Sequence, residues 1–294
     1  MKQLVVISGK GGTGKTSITA SFAVLSDNAV IADCDVDAAD MHLILRPDIK
    51  KAWDFIGGKE ASIDQDMCTA CGECYNLCRF NAVLNNRGEY VINQLKCEGC
   101  SVCSYFCPVD AIKMEEKVSG KAYISETRSG MMVHAALGIG EENSGKLVYE
   151  VRENSRKVAQ ESGAGLIVID GPPGIGCPVI ASITGTDLAL VVTEPTVSGF
   201  HDLKRVVQLL SHFKIKCAVC INKFDLNLDM TEDIQGFCDN MDIRVLSRVP
   251  YDNSFTGAQL EAKSIVEFTD GETATEIKKM WEGLCDMLFR DDSI

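Results

Sequence analysis

Eight of the fourteen cysteines fall between Cys68 and Cys107, and their spacing repeats. Cys68, Cys71, Cys74 and Cys78 are written C-x2-C-x2-C-x3-C, and Cys97, Cys100, Cys103 and Cys107 follow the same pattern. Pro108 comes after the last cysteine of the second copy, and Arg79 holds the matching place in the first. The stretches beginning at Met67 and Lys96 align cysteine for cysteine, so the segment is an internal duplication. Deprotonated thiols are soft metal ligands. This run is one that ligates [4Fe–4S] clusters, the fourth cysteine of each copy serving the other cluster. By that rule, one cluster takes Cys68, Cys71, Cys74 and Cys107, and the second takes Cys97, Cys100, Cys103 and Cys78. Zinc is the competing reading, because it also uses C-x2-C pairs. It needs only four ligands, in two pairs separated by a longer loop. Three closely spaced cysteines plus a fourth, written twice, suit two cubanes better.

A second pattern precedes the cysteines. Gly9-Lys10-Gly11-Gly12-Thr13-Gly14-Lys15-Thr16 satisfies G-x4-G-K-[ST] and follows the apolar run Leu4–Ser8. Glycines let backbone N–H groups turn inward around phosphates, and the following helix N-terminus adds positive potential. Lys15 is expected on the β- and γ-phosphates and the Thr16 hydroxyl on Mg²⁺. Gly11, Gly12, Thr13, Gly14 and Ser17 complete the cradle.

With its additional Lys10, K-G-G-T-G-K-T resembles the deviant P-loop of the MinD/ParA/Mrp ATPases. The resemblance continues in order through Asp33-Cys34-Asp35-Val36-Asp37, Asp170-Gly-Pro-Pro-Gly-Ile-Gly176, Glu194-Pro-Thr196, Asn222-Lys-Phe-Asp225 and Val249-Pro-Tyr-Asp252. The cysteine segment resembles two-cluster bacterial ferredoxins. The whole chain therefore resembles a MinD-superfamily P-loop ATPase with an inserted 2[4Fe–4S] ferredoxin domain. That resemblance implies ATP, Mg²⁺ and two [4Fe–4S] clusters as cofactors. It also implies an ATP-dependent homodimer, or a heterodimer with a related ATPase. Lys10 would reach across the dimer to the partner's nucleotide, as arginine fingers do elsewhere, and Asp35 would position the attacking water. Asp170 would hold Mg²⁺ through water, Gly171–Gly176 would sense the γ-phosphate, and Asn222, Lys223 and Pro250 would meet the base. Asn222-x-x-Asp225 is also how GTPases read guanine; the Lys10-type loop implies ATP instead. Turn capping competes with catalysis for Asp33 and Asp37.

These residues need a frame. Apolar runs at Leu4–Ser8, Ala29–Asp33, Leu166–Asp170, Leu188–Thr193, Cys217–Asn222 and Val245–Pro250 read as buried strands. Helical patterns lie between them, at Lys15–Ser26, His201–His212, Thr231–Asn240 and Thr273–Phe289. This alternation predicts an α/β fold, a mostly parallel sheet covered by helices on both faces. The rhythm stops between about Gly58 and Glu116. A discontinuous ATPase domain is expected over 1–58 and 117–294, with a small α+β ferredoxin-like domain inserted at 59–116.

A net charge of −13 and a pI of about 4.8 disfavour nucleic acid, which is bound through Lys and Arg, and an anionic membrane surface. No apolar run of the roughly 18 residues a membrane span needs is present. The N-terminus lacks a secretory h-region, so a cytoplasmic protein is expected. Cys217 and Cys220, three apart on a strand, face opposite sides and make a poor chelate. Gly140-Glu-Glu-Asn-Ser-Gly-Lys146 imitates a second P-loop but puts Leu147 at the hydroxyl position. No strong strand is expected just before it, and Ser144 is expected to cap a helix.

Three functions remain in view. Nucleotide state could gate electron transfer through the clusters to a redox partner. The chain could be an Mrp-like cluster or metal carrier acting on an acceptor protein. It could be a redox-sensing regulatory or positioning switch, against which the acidic C-terminus argues.

Overall fold

The structure, a computed structural model, describes residues 1–138, 140–141 and 145–290. Along the chain come β1 (Lys2–Ser8), α1 (Lys15–Leu25), β2 (Ala29–Asp33), α2 (Met41–Leu45) and β3 (Asp48–Ile63). The cysteine region carries α3 (Glu73–Leu77), β4 (Val83–Asn86), β5 (Glu89–Ile92) and α4 (Val102–Tyr105). Then follow β6 (Ile112–Thr127), β7 (Gly130–Leu137), α5 (Lys146–Ser162), β8 (Leu166–Pro173), α6 (Cys177–Ile183) and β9 (Leu188–Thr193). The chain continues with α7 (Val197–His212), β10 (Lys216–Asn222), α8 (Leu228–Asn240) and β11 (Arg244–Val249). It closes with α9 (Ser254–Leu260), α10 (Ile265–Phe268) and α11 (Glu272–Phe289).

Nine strands form one sheet in the order β11-β10-β9-β1-β8-β2-β7-β6-β3. Every pair from β11 to β7 runs parallel. Strands β1, β2, β8 and β9 are almost wholly buried, as a parallel sheet covered on both faces requires. Leu4, Val6, Val168 and Leu190 pack against Ile18 and Phe22 of α1 and against Ile277, Met280, Leu284 and Leu288 of α11. The Phe22 ring stacks on Trp281 with centroids 5.2 Å apart. The terminal helix is therefore part of the core. Among the described residues no helix is long and apolar enough to cross a membrane.

The chain divides into two compact units. One comprises Met1–Ala52, Ala122–Ala136 and Asn143–Ile294; the other comprises Trp53–Lys121 and Leu137–Glu142. Both divisions at Ala52/Trp53 and Lys121/Ala122 fall inside the strands β3 and β6, sixteen residues each. Neither strand was expected from the sequence. Lys50, Lys51, Asp54, Lys59 and Glu60 interrupt the first and leave it largely exposed, so no apolar run marks it. β7 was also missed; it pairs with β2 and places a strand directly before Gly140, contrary to the expectation there. Ser144 lies outside the described residues. Cys217 is half-buried and Cys220 buried, and burial pushes their thiols up to about 11 and about 12. Cys220 packs in the core of the sheet.

His134 on β7 is buried, its ring 4.9 Å from Tyr123 and its Nε2 2.8 Å from Ser125 Oγ. Burial, with His42 nearby, lowers its pKa to about 4. An unfolded chain protonates this histidine near its ordinary 6.5, so it takes up protons before the folded one does. Stability should thus fall as pH drops from 6.5 towards 4. His134→Phe should remove about 2–3 kcal/mol of that fall, read as the difference from wild type in urea midpoints across the window.

Candidate functional site

The phosphate-loop residues sit between β1 and α1. Gly12 and Gly14 take φ of 80° and 87°, a left-handed conformation that costs glycine little. Gly14 is also pressed from outside: a Cβ there would lie 2.5 Å from Asn222 Nδ2. Asn222, at the end of β10, donates from Nδ2 to the Thr13 carbonyl at 2.8 Å and so latches the loop. Thr13 Oγ1 is buried with no partner among the described residues.

Parallel pairing sets Asp33, the last residue of β2, beside Asp170 of β8. Lys15, at the start of α1, is 5% exposed and reaches both Asp170 Oδ1 at 2.9 Å and Asp35 Oδ2 at 3.2 Å. The Asp170 carboxylate also accepts from Thr16 Oγ1 at 2.8 Å and Thr19 Oγ1 at 2.9 Å. Asp33 accepts the Asp35 N–H at 3.2 Å through Oδ1, while its Oδ2 has no partner among the described residues. Burial pulls the Lys15 pKa down, but Asp170 and Asp35 outweigh it and raise the net value. Burial and the Asp170 charge hold the Asp33 carboxyl well above the usual carboxylate range. Asp35 is raised mainly by burial. Thr16 Oγ1 and the Asp170 carboxylate are hard oxygen donors of the kind a divalent cation takes. Thr19, one helical turn after Lys15, was not picked out from the sequence; the i+4 position on the loop-proximal face was its only signal.

Lys10 ion-pairs with Glu194 and lies 3.4 Å from Thr196 Oγ1 and 3.3 Å from Ser198 Oγ. Lys223 joins the same carboxylate at 3.3 Å and donates to the Gly12 carbonyl at 3.2 Å. Burial raises the Glu194 pKa, but the two lysines hold it below the usual range. Glu194 is thus a ground-state anchor for Lys10, a role its motif alone did not indicate. Asp37 is exposed.

Beside the loop a cavity of about 280 Å³ is lined by Ser17, Asn222, Lys223, Pro250, Phe255 and Gln259, among others. Asp225 does not line it. Its Oδ1 accepts the Tyr251 N–H at 2.7 Å and so braces the loop after β11.

In the second unit the eight cysteines distribute between two cavities. Cys68, Cys71, Cys74 and Cys107 line one; Cys78, Cys97, Cys100 and Cys103 line the other. The duplication is repeated in the hydrogen bonds. Ala82 N–H donates to Cys78 Sγ at 3.4 Å, and Ala111 N–H donates to Cys107 Sγ at 3.3 Å. Burial raises the Cys78 pKa, but backbone N–H groups led by that of Ala82 carry it below the ordinary thiol value. Burial raises Cys74 and Cys103. Among the described residues no three His, Cys, Asp or Glu side chains converge closely enough for a single metal ion.

Residues 4–265 match the model of the CobQ/CobB/MinD/ParA nucleotide binding domain, and the chain belongs to that family. It is 34% identical over 287 residues to an uncharacterized protein of Methanocaldococcus jannaschii, covering 96% of each chain. Its fold is similar to that of the septum site-determining protein MinD of Pyrococcus horikoshii, solved with Mg-ADP. That likeness has a TM-score of 0.58 at 17% identity and covers 100% of this chain and 99% of the other. A 62-residue stretch, 21% of the chain, is 40% identical to 10% of the indolepyruvate oxidoreductase subunit IorA of Methanothermobacter thermautotrophicus. The architecture is that of an α/β P-loop NTPase with a mostly parallel sheet.

Gly14→Ala should weaken Mg-ATP binding at least about tenfold, or 1.4 kcal/mol, because its Cβ displaces the Asn222 amide. Titration calorimetry reads this, and adding Asn222→Ala should recover part of the loss.

Proposed function

We propose that the chain is an ATPase that holds two [4Fe–4S] clusters in its second unit and couples nucleotide state to electron transfer through them. The observation that carries the cluster reading is the crossed sorting of the cysteines: each cavity takes three from one copy and the fourth from the other. Two four-cysteine sets with N–H donors to sulfur fit a cluster that needs four thiolates each. Four sulfurs around zinc would have to close to about 2.3 Å from one point. Cys68, Cys71, Cys74 and Cys107 would hold one cluster, and Cys97, Cys100, Cys103 and Cys78 the other. When bound, such clusters supply one-electron redox chemistry.

In the other unit the residues divide the work of cleaving ATP with water to ADP and phosphate. Lys15 exchanges its carboxylates for the β- and γ-phosphate oxygens, which are the stronger anion. Thr16 and, through water, Asp170 would hold Mg²⁺, which when bound would supply positive charge against the phosphate oxygens. Asp35, released from Lys15, orients the attacking water. Lys10 leaves Glu194 for the nucleotide of a second subunit, where its charge meets the transferring phosphoryl group. The cavity at Asn222, Lys223 and Pro250 takes the base, and the engaged Asp225 favours adenine over guanine. The partners of this reading are ATP, a second ATPase subunit and a redox protein. β3 leads directly from the nucleotide-binding unit into the cysteine-bearing one, which gives the coupling a covalent route.

Lys10→Ala should lower the rate of ATP hydrolysis by about a hundredfold or more, on the scale of arginine-finger loss, with nucleotide binding nearly unchanged. Steady-state turnover and calorimetry on one preparation separate the two. Unaltered turnover removes Lys10 from the reaction. Anaerobically purified protein should contain about eight iron and eight sulfide per chain, four for each cluster. Zinc without sulfide ends the redox reading and leaves the ATPase. ATPase rates should differ between oxidised and reduced protein; equal rates argue against coupling. Transfer of iron and sulfide to an apo-acceptor would favour the carrier.

A further inference from the structure

The two copies of the cysteine pattern carry unlike side chains at one matching place. Tyr90 of β5 precedes Cys97 by seven residues, as Ala61 of β3 precedes Cys68. Hydrogen bonds keep that equivalence. Gln65 Nε2 donates to the Tyr90 carbonyl at 2.8 Å, and Gln94 Nε2 donates to the Ala61 carbonyl at 2.9 Å. Tyr90 lines the cavity of Cys68, Cys71, Cys74 and Cys107, and Ala61 lines that of Cys78, Cys97, Cys100 and Cys103. The residue after the second cysteine of each copy is left-handed, Gly72 at φ 82° and Ser101 at φ 65°. A Cβ on Gly72 would lie 2.8 Å from the Tyr90 hydroxyl oxygen, so glycine stands beside the phenol, and serine where alanine replaces it. The phenol's own hydrogen is uncommitted. Asn85, opposite Tyr90 in the β4–β5 hairpin, accepts the Gly88 N–H through Oδ1 at 2.8 Å. That bond fixes the amide, so Nδ2 faces Tyr90 and donates to its hydroxyl oxygen at 3.3 Å. The oxygen is the acceptor there, and its O–H has no protein acceptor among the described residues.

Resting on the cluster reading above, we infer that the Tyr90 hydroxyl donates a hydrogen bond to a sulfur of the cluster held by Cys68, Cys71, Cys74 and Cys107, and so raises the reduction potential of that cluster alone. Reduction adds one electron, and with it one negative charge, to a group already surrounded by four thiolates. A hydrogen-bond donor at sulfur stabilises that added charge, and such donors are among the levers that set cluster potentials. The backbone donors do not distinguish the two sets, since Ala82 N–H to Cys78 Sγ and Ala111 N–H to Cys107 Sγ match at 3.4 and 3.3 Å. The phenol does distinguish them, because Ala61 offers only a methyl group at the other cluster. Tyr90 is thus a potential-setting residue, held in its donor role by Asn85.

The test is an anaerobic dithionite titration followed by electron paramagnetic resonance, on full-length protein whose iron and sulfide have first been counted. Cys71→Ser and Cys100→Ser assign the two signals, each altering that of the cluster it ligates. Tyr90→Phe removes only the hydroxyl. It should lower the potential of the Cys71-assigned cluster by about threefold to tenfold in its reduction equilibrium, tenfold being about 59 mV for one electron, and leave the other cluster unmoved. Electron–nuclear double resonance on the reduced Cys71-assigned cluster should show a deuterium-exchangeable proton that Tyr90→Phe lacks. Asn85→Asp, which gives the phenol O–H an acceptor, should remove the same proton with the ring retained. An unmoved potential, an equal shift of both clusters, or the proton persisting in both variants would overturn the inference. A wild-type preparation without two clusters would instead overturn the reading it rests on.

Discussion

A buried ammonium among three carboxyls organises the nucleotide-binding unit. Lys15 is nearly inaccessible, yet it is charged, because Asp170 and Asp35 stand within 3.2 Å of its Nζ. Removing one partner from such a pair leaves an uncompensated buried charge, typically several kcal/mol. The arrangement is therefore both a fastener and a stored demand. Thr16 and Asp170 present hard oxygen donors of the kind a divalent ion takes, and an anion such as a phosphate can compete for the lysine. Asp33, whose Oδ2 has no partner among the described residues, is held towards its neutral form by burial and the Asp170 charge.

The parallel sheet makes this concentration of charge possible. β2 and β8 are adjacent and in register, so their last carboxyls fall side by side, and the loop after β1 emerges next to them. Such strand ends are where ligands gather in open α/β sheets. Around that centre the fold adds latches that involve no ligand. Asn222 holds Thr13, Lys223 holds Gly12 and Glu194, and Glu194 holds Lys10. Each is a contact a bound nucleotide can compete for.

The second unit reaches order by a different route. Its strands are polar and half exposed, and its most regular feature is a repeated set of thiols. A segment of this size buries little apolar surface, so metal centres of the proposed kind would supply what the core lacks. The repeat is not exact: Tyr90 and Pro108 line one cavity, and Arg79 and Glu98 line the other.

The phosphate loop, the strands β1, β2, β8, β9, β10 and β11 and the helices α1, α7, α8 and α11 were legible in the sequence. Their signals are local: glycine spacing, apolar runs and helical period. Strands β3 and β6 were not, since charged side chains on exposed faces carry no apolar run. The motif at Asn222-Lys-Phe-Asp225 did not indicate that Asp225 Oδ1 would brace the Tyr251 backbone. The grouping of the thiols that the ferredoxin pattern implies is also the one in which they line the two cavities. Only the tertiary structure decided that Glu194 holds Lys10 and that Asn222 latches Thr13. Those outcomes depend on residues distant along the chain that meet only after the sheet and hairpins have formed.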